Sequence, residues 1–114
     1  AGLLDIEGEP PAETAQRELA EEVDLVAERW QPLLTTHTSP GGNSEILHLF
    51  LARDLSPAPD AFEREDEEAD MRVERVALDD VVDAVLDGRL SNSILGIGVL
   101  AAAEVLRREA AAER

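Results

Sequence analysis

The chain of 114 residues contains no cysteine, and all ten of its basic residues are arginine, so it lacks lysine as well. Without cysteine there is no disulfide framework and no thiolate metal site, and a reducing cytoplasm fits that composition. Positive charge is scarce: 26 acidic residues leave a formal net charge of -16 at pH 7. That balance excludes nucleic acid as the main partner, because binding a phosphate backbone takes a basic surface. The most apolar run, "SILGIGVLAAA", is shorter than the roughly 20 residues that span a bilayer, so no membrane partner is expected. No basic, apolar, small-residue leader opens the chain, and no export signal is expected.

What is present suits one small domain with a modest core. "AGLLDIEG" reads as an apolar strand entered with no initiating Met, turn or cap, and the expectation is a piece of a longer protein. Gly8, Pro10 and Pro11 break regular structure and then start a helix, where proline is tolerated in the first turn. Ala15, Leu19, Ala20 and Val23 recur at helical spacing and give that helix one apolar face. Residues 30–37 and 45–53 are rich in Leu, Ile, Phe and Thr and predict strands, joined by a turn at "TSPGGNSE". Residues 54–70 predict a long acidic loop, of a length that in a compact domain is functional or disordered. A strand is predicted at 71–76. A helix with Val81, Val82, Val85 and Leu86 on one face follows, with Gly88 as its C-terminal cap. The last helix starts at a Ser or Asn cap and ends in a solvated tail. Alternating helices and strands place the chain in a layered α/β or α+β class.

The stretch "AETAQRELAEEVDL" poses the chemical question. Glu13, Glu18, Glu21, Glu22, Asp24 and Glu28 lie in or beside one helix. Residues three and four apart share a helical face, so Glu18, Glu21 and Glu22 converge while Arg17 reaches Glu21. Like charges at that spacing destabilise a helix unless a cation sits among them. Hard carboxylate oxygens in that arrangement suit Mg²⁺ or Mn²⁺, ions that bridge to a substrate's phosphates. The same run also describes a solvated acidic face.

The order of these residues resembles the box of the Nudix hydrolase family. Glu9 is followed by seven residues and then by Arg17, Glu18, Leu19, Ala20, Glu21, Glu22, Val23, Asp24 and Leu25. Six residues rather than the usual five separate Gly2 from Glu9, a spacing associated with the ADP-ribose pyrophosphatase branch. Asp24 stands where the family has glycine, at a helix end that favours a left-handed backbone. Ser39, Pro40, Gly41, Gly42 and Glu45 match the Ser-Pro-Gly turn of that branch. "EREDEEADMRV" looks like its mobile acidic loop, and "GRLSNSILGIGVLAA" resembles its closing helix.

This resemblance implies a Nudix α/β/α sandwich with a mixed sheet, of which residues 1–114 form the C-terminal portion, with the box at 2–25. It implies Mg²⁺-dependent hydrolysis of the pyrophosphate of ADP-ribose to AMP and ribose 5-phosphate, in a homodimer. Glu18 and Glu22 would be direct metal ligands, Glu21 a ligand or an orienter of metal-bound water, and the carbonyl of Ala1 would complete one site. Arg17 would hold the glutamates, and Glu9 would tie the preceding loop to the helix. Glu68 aligns best with the family's loop base and Glu67 nearly as well; the alternative for this loop is an acidic linker. Pro40, Gly41 and Gly42 would let the backbone approach the ribose and diphosphate, with Glu45 positioning substrate or water; without the family, "SPGG" is only a tight turn. Trp30 is expected in the core, and His37 and His48 have no assigned role. Two alternatives stay open. One is a Nudix hydrolase acting on a nucleotide sugar, a dinucleotide or coenzyme A; the other is a non-catalytic nucleotide-binding module, which would be expected to have lost box glutamates.

Overall fold

The computed structural model describes residues 8–39, 41–42, 45–59 and 73–113. Along these the chain forms α1 (Pro11–Val23), β1 (Leu25–His37), β2 (Ile46–Pro57), α2 (Leu78–Leu86) and α3 (Ser93–Ala112). The described residues thus hold three helices and a two-stranded sheet, an α/β fold.

Local chemistry sets both ends of α1. Gly8 takes φ +79°, a left-handed backbone that glycine adopts without a Cβ clash. Pro10 is extended, at φ -63° and ψ 145°, and Pro11 opens the helix. There its missing N–H costs nothing, since the first turn has no carbonyl to receive it. The Pro10 carbonyl accepts from the Glu13 and Thr14 amides at 3.0 and 3.1 Å. At the other end Asp24 is left-handed, at φ 57° and ψ 36°, and its N–H donates to the Ala20 carbonyl at 3.1 Å.

β1 and β2 form an antiparallel hairpin. Near the turn the Thr38 amide donates to the Glu45 carbonyl at 3.3 Å; at the open end the Ala58 amide donates to the Asp24 carbonyl at 2.8 Å. Both strands are longer than hydropathy suggested: β1 starts at Leu25 instead of residue 30, and β2 continues to Pro57, inside the stretch expected to be loop. Charged residues conceal these extensions, yet paired backbone suffices to hold them. Arg29 Nε donates to Asp54 Oδ2 at 2.7 Å across the strands, beside the positive φ of 60° at Asp54. The strand expected at 71–76 does not form over 73–76, which has no regular structure; residues 71 and 72 lie outside the described residues. Val73 and Val76 are exposed, and the sheet of β1 and β2 gives 73–76 no ladder partner. A strand without a ladder leaves its amides to water.

Contacts divide the chain into two compact units, Ala1–Gln31 with Phe50–Glu74, and Pro32–Leu49 with Arg75–Arg114. The first contains α1 and the open end of the hairpin. In it Trp30 meets Phe50 edge to face, with ring centres 6.4 Å apart, and donates from Nε1 to the Ala27 carbonyl at 3.2 Å. Trp30 is half-buried, packed on Phe50 with a satisfied polar tip, and is not among the buried residues of the core. The second unit contains the hairpin turn, α2 and α3. α2 packs on α3, where a methyl at Gly96 would sit 3.6 Å from Val85 Cγ1. Gly88, at φ +85°, follows the end of α2 as the sequence predicts, and the Asn92 side chain caps α3 by accepting from the Leu95 amide at 3.0 Å.

Candidate active site

Helical spacing puts Thr14, Arg17 and Glu21 along one side of α1, three and four residues apart, with Glu18 next to Arg17 and four residues from Thr14. Arg17 is the centre of the cluster. Its Nη2 donates to Glu9 Oε1 at 3.1 Å and its Nε to Glu9 Oε2 at 3.4 Å. Its Nη1 donates to Glu18 Oε1 at 3.4 Å and to Glu21 Oε2 at 3.3 Å. One planar guanidinium thus gathers three carboxylates, a task suited to its fixed fork of donors. Glu9 also accepts from Thr14 Oγ1 at 2.6 Å. These contacts bear out the reading of Glu9 as the tie between loop and helix.

The electrostatics differ from one carboxylate to the next. Hydrogen bonds from Arg17 and then Thr14 hold Glu9 below its ordinary value, and Glu9 in turn pushes Arg17 upward. Glu18 moves the other way: burial raises it most, and the Glu22 carboxylate one turn along raises it further by repulsion and by a direct hydrogen-bonding contact. Arg17 opposes this shift and is outweighed. The contact of 3.4 Å is long, and the guanidinium is shared with two other acids. Glu18 and Glu22 thus lie together one turn apart, with repulsion between them adding to the burial of Glu18.

Such a pair can take a proton or a hard cation. Mg²⁺ is commonly held by one or two carboxylates, with water and substrate phosphates filling the other positions, so the donor set of Glu18 and Glu22 fits it. Among the described residues, no group of three or more histidine, aspartate or glutamate side chains is arranged to hold a metal ion. Glu21 turns toward Arg17. Ala1, Pro40, Glu67 and Glu68 lie outside the described residues.

The hairpin turn has its own geometry. The Gly41 and Gly42 amides both donate to the Ser39 carbonyl at 2.9 Å, and both residues are exposed. Glu45 is exposed as well and accepts from Thr38 Oγ1 at 2.8 Å. His48 Nδ1 lies 3.4 Å from Thr35 Oγ1, an exposed cross-strand contact. Thr14 and Thr38 were not singled out from the sequence. Thr14 could have been, since it stands three residues before Arg17, on the same side of α1.

A family model described as "NUDIX domain" matches residues 1–93. The chain belongs to the NUDIX domain family. Among curated relatives, this NUDIX domain is 45% identical over 103 residues to an ADP-ribose pyrophosphatase of Mycobacterium tuberculosis, covering 89% of the chain and 48% of the relative. It is 39% identical over 85 residues to an ADP-ribose pyrophosphatase of Bacillus subtilis, covering 75% of the chain and 45% of that protein. It is 32% identical over 111 residues to a methanol dehydrogenase activator of Bacillus methanolicus, covering 96% of the chain and 59% of that protein. The chain spans about half the length of the curated relatives it matches. Within the NUDIX box, the left-handed Asp24 occupies the glycine position with the backbone that position favours. Among the described residues, no helix of the NUDIX domain is long and apolar enough to cross a membrane.

Proposed function

We propose that this chain carries the metal-binding and hydrolytic elements of an ADP-ribose pyrophosphatase, which splits the diphosphate of ADP-ribose into AMP and ribose 5-phosphate. The observation that carries the reading is the carboxylate cluster on α1, where Glu18 and Glu22 meet one turn apart and Arg17 gathers Glu9, Glu18 and Glu21. The names of the M. tuberculosis and B. subtilis relatives support the choice of substrate.

Glu18 and Glu22 would hold Mg²⁺, with Mn²⁺ as a substitute; Glu21 and the carbonyl of Ala1 would add further donors. A bound divalent ion supplies charge neutralisation on the diphosphate and lowers the pKa of a coordinated water. Arg17 keeps the box glutamates oriented by charge-assisted hydrogen bonds. Gly41 and Gly42 present backbone without side chains, to which ribose and diphosphate can come close, next to Pro40. Glu45, fixed by the Thr38 hydroxyl, orients substrate or water. Glu68, or Glu67 beside it, takes the proton of the attacking water; its suitability rests on position, since nearby cations lower a carboxylate's pKa. The working unit is proposed to be a homodimer.

A second reading is a NUDIX hydrolase acting on another nucleoside diphosphate derivative; the similarity to a methanol dehydrogenase activator favours keeping it, since that relative is not named for ADP-ribose. Product analysis separates the two. The full-length protein is incubated with Mg²⁺ and ADP-ribose, ADP-glucose, diadenosine polyphosphates or coenzyme A, alongside Glu22→Gln. AMP and ribose 5-phosphate from ADP-ribose, lost in the variant, support the first reading. Cleavage of another compound alone moves the substrate, and no cleavage of any overturns the hydrolase reading in favour of a binding module.

A further inference from the structure

Thr14 is the one buried polar or charged residue among the described residues, at 4% exposure. A threonine inside a helix ordinarily returns its hydroxyl to the carbonyl four residues back. Here that acceptor, the Pro10 carbonyl, lies at 3.4 Å, whereas Glu9 Oε1 lies at 2.6 Å. The single hydroxyl proton therefore goes to the carboxylate, the stronger and nearer acceptor. Glu9 Oε1 also accepts Arg17 Nη2, and Glu9 Oε2 accepts Arg17 Nε. With that edge of the guanidinium occupied, Nη1 is the nitrogen that reaches Glu18 and Glu21.

We propose that Thr14 is a positioning residue for the metal site, acting through Glu9 and Arg17 to set the orientation of Glu18 and Glu21. Its hydroxyl fixes the rotation of the Glu9 carboxylate; the carboxylate fixes the guanidinium edge; the guanidinium fixes the two box glutamates. Loss of the hydroxyl leaves Glu9 held by Arg17 alone, so both groups can rotate together and the glutamates lose their common reference. This inference rests on the reading of Glu18 and Glu22 as metal ligands.

The test is Mn²⁺ binding to the full-length protein, followed by electron paramagnetic resonance, for wild type, Thr14→Val, Thr14→Ser, Glu9→Gln and Glu22→Gln. Valine keeps the branched shape without the hydroxyl; serine keeps the hydroxyl. Thr14→Val is expected to weaken Mn²⁺ binding roughly tenfold, the lower end for partners beyond the ligands themselves, with Thr14→Ser near wild type. A hydroxyl that served only the fold would lower the melting temperature and leave the affinity of the folded protein unchanged, which would overturn the proposal. Glu9→Gln carries the test where Thr14→Val does not fold: wild-type affinity there also overturns it, since Thr14 could not act through Glu9. Wild-type binding by Glu22→Gln overturns the metal reading itself, and the inference with it.

Discussion

Glu18 and Glu22 lie one helical turn apart, close enough to share a hydrogen bond, and burial joins repulsion in raising Glu18. The Glu22 carboxylate makes Glu18 harder to ionise. The pair is therefore a local weakness of α1 until a proton or a cation joins it.

The first prediction follows from that weakness. Glu22→Gln removes a like-charge pair worth about 0.2–0.5 kcal/mol, so the metal-free variant should melt at or slightly above the wild-type temperature. Wild type should gain stability with Mg²⁺ and the variant should gain little. Thermal melts with EDTA and with Mg²⁺ check both halves. A variant that melts lower without metal, yet shifts fully with it, would contradict the charge argument.

Arg17→Lys keeps the charge and loses the fork. A lysine ammonium is a point donor and cannot hold Glu9 along one edge while reaching Glu18 and Glu21. Activity should fall about 10- to 100-fold, the range seen when partners of metal ligands are lost, with helix content by circular dichroism little changed. Near-wild-type turnover would show that a positive charge at this position is enough.

Acid sensitivity on α3 has a defined sign. Arg107 and then Arg108 hold Glu104 down to about 2, from an ordinary 4.5, through bonds of 2.6–2.9 Å. A folded-state value below the unfolded one stabilises above pH 4.5, and that contribution disappears as the pH falls toward 2. The melting temperatures of wild type and Glu104→Gln should differ at neutral pH and converge across that window. A difference independent of pH would rule out the ion pairs as its source.

Asp24→Gly tests the departure at the end of α1. A left-handed backbone costs a residue with a Cβ about 1–2 kcal/mol, less for aspartate, whereas glycine adopts it freely but loses more entropy on folding. The net expectation is a gain of about 0.5 kcal/mol in chemical denaturation. A clear loss would show that the Asp24 side chain holds the helix end by its own bonds.

Legibility in the sequence followed the range of the interactions. The helix carrying the glutamates, the left-handed demand at residue 24, the reach of Arg17 to Glu21 and the glycine after α2 all depend on residues within one or two turns. The left-handed demand came with the resemblance to the Nudix box; the others were readable from spacing. The open end of the hairpin was not, because Glu28, Arg29 and Asp54 look like loop until the Arg29–Asp54 bond pairs them across 25 residues of chain. The strand expected at 71–76 is absent from 73–76 for the converse reason: Val73 and Val76 give strand composition, but a ladder needs a partner, and composition names none. Thr14 was passed over because a threonine in a helix looks neutral until its hydroxyl has a carboxylate to find.

The two positive-φ residues that bracket α1, Gly8 and Asp24, make its length a fixed quantity. One residue added or deleted between Thr14 and Glu18 would turn everything beyond it by about 100° around the helix axis. Glu18, Glu21 and Glu22 would then face away from the guanidinium edge that Glu9 sets. Point substitutions along this segment can be graded in their effect, but an insertion or deletion cannot. In a library of single-residue indels, the stretch between Glu9 and Glu22 should contain no active member, however benign the residue inserted.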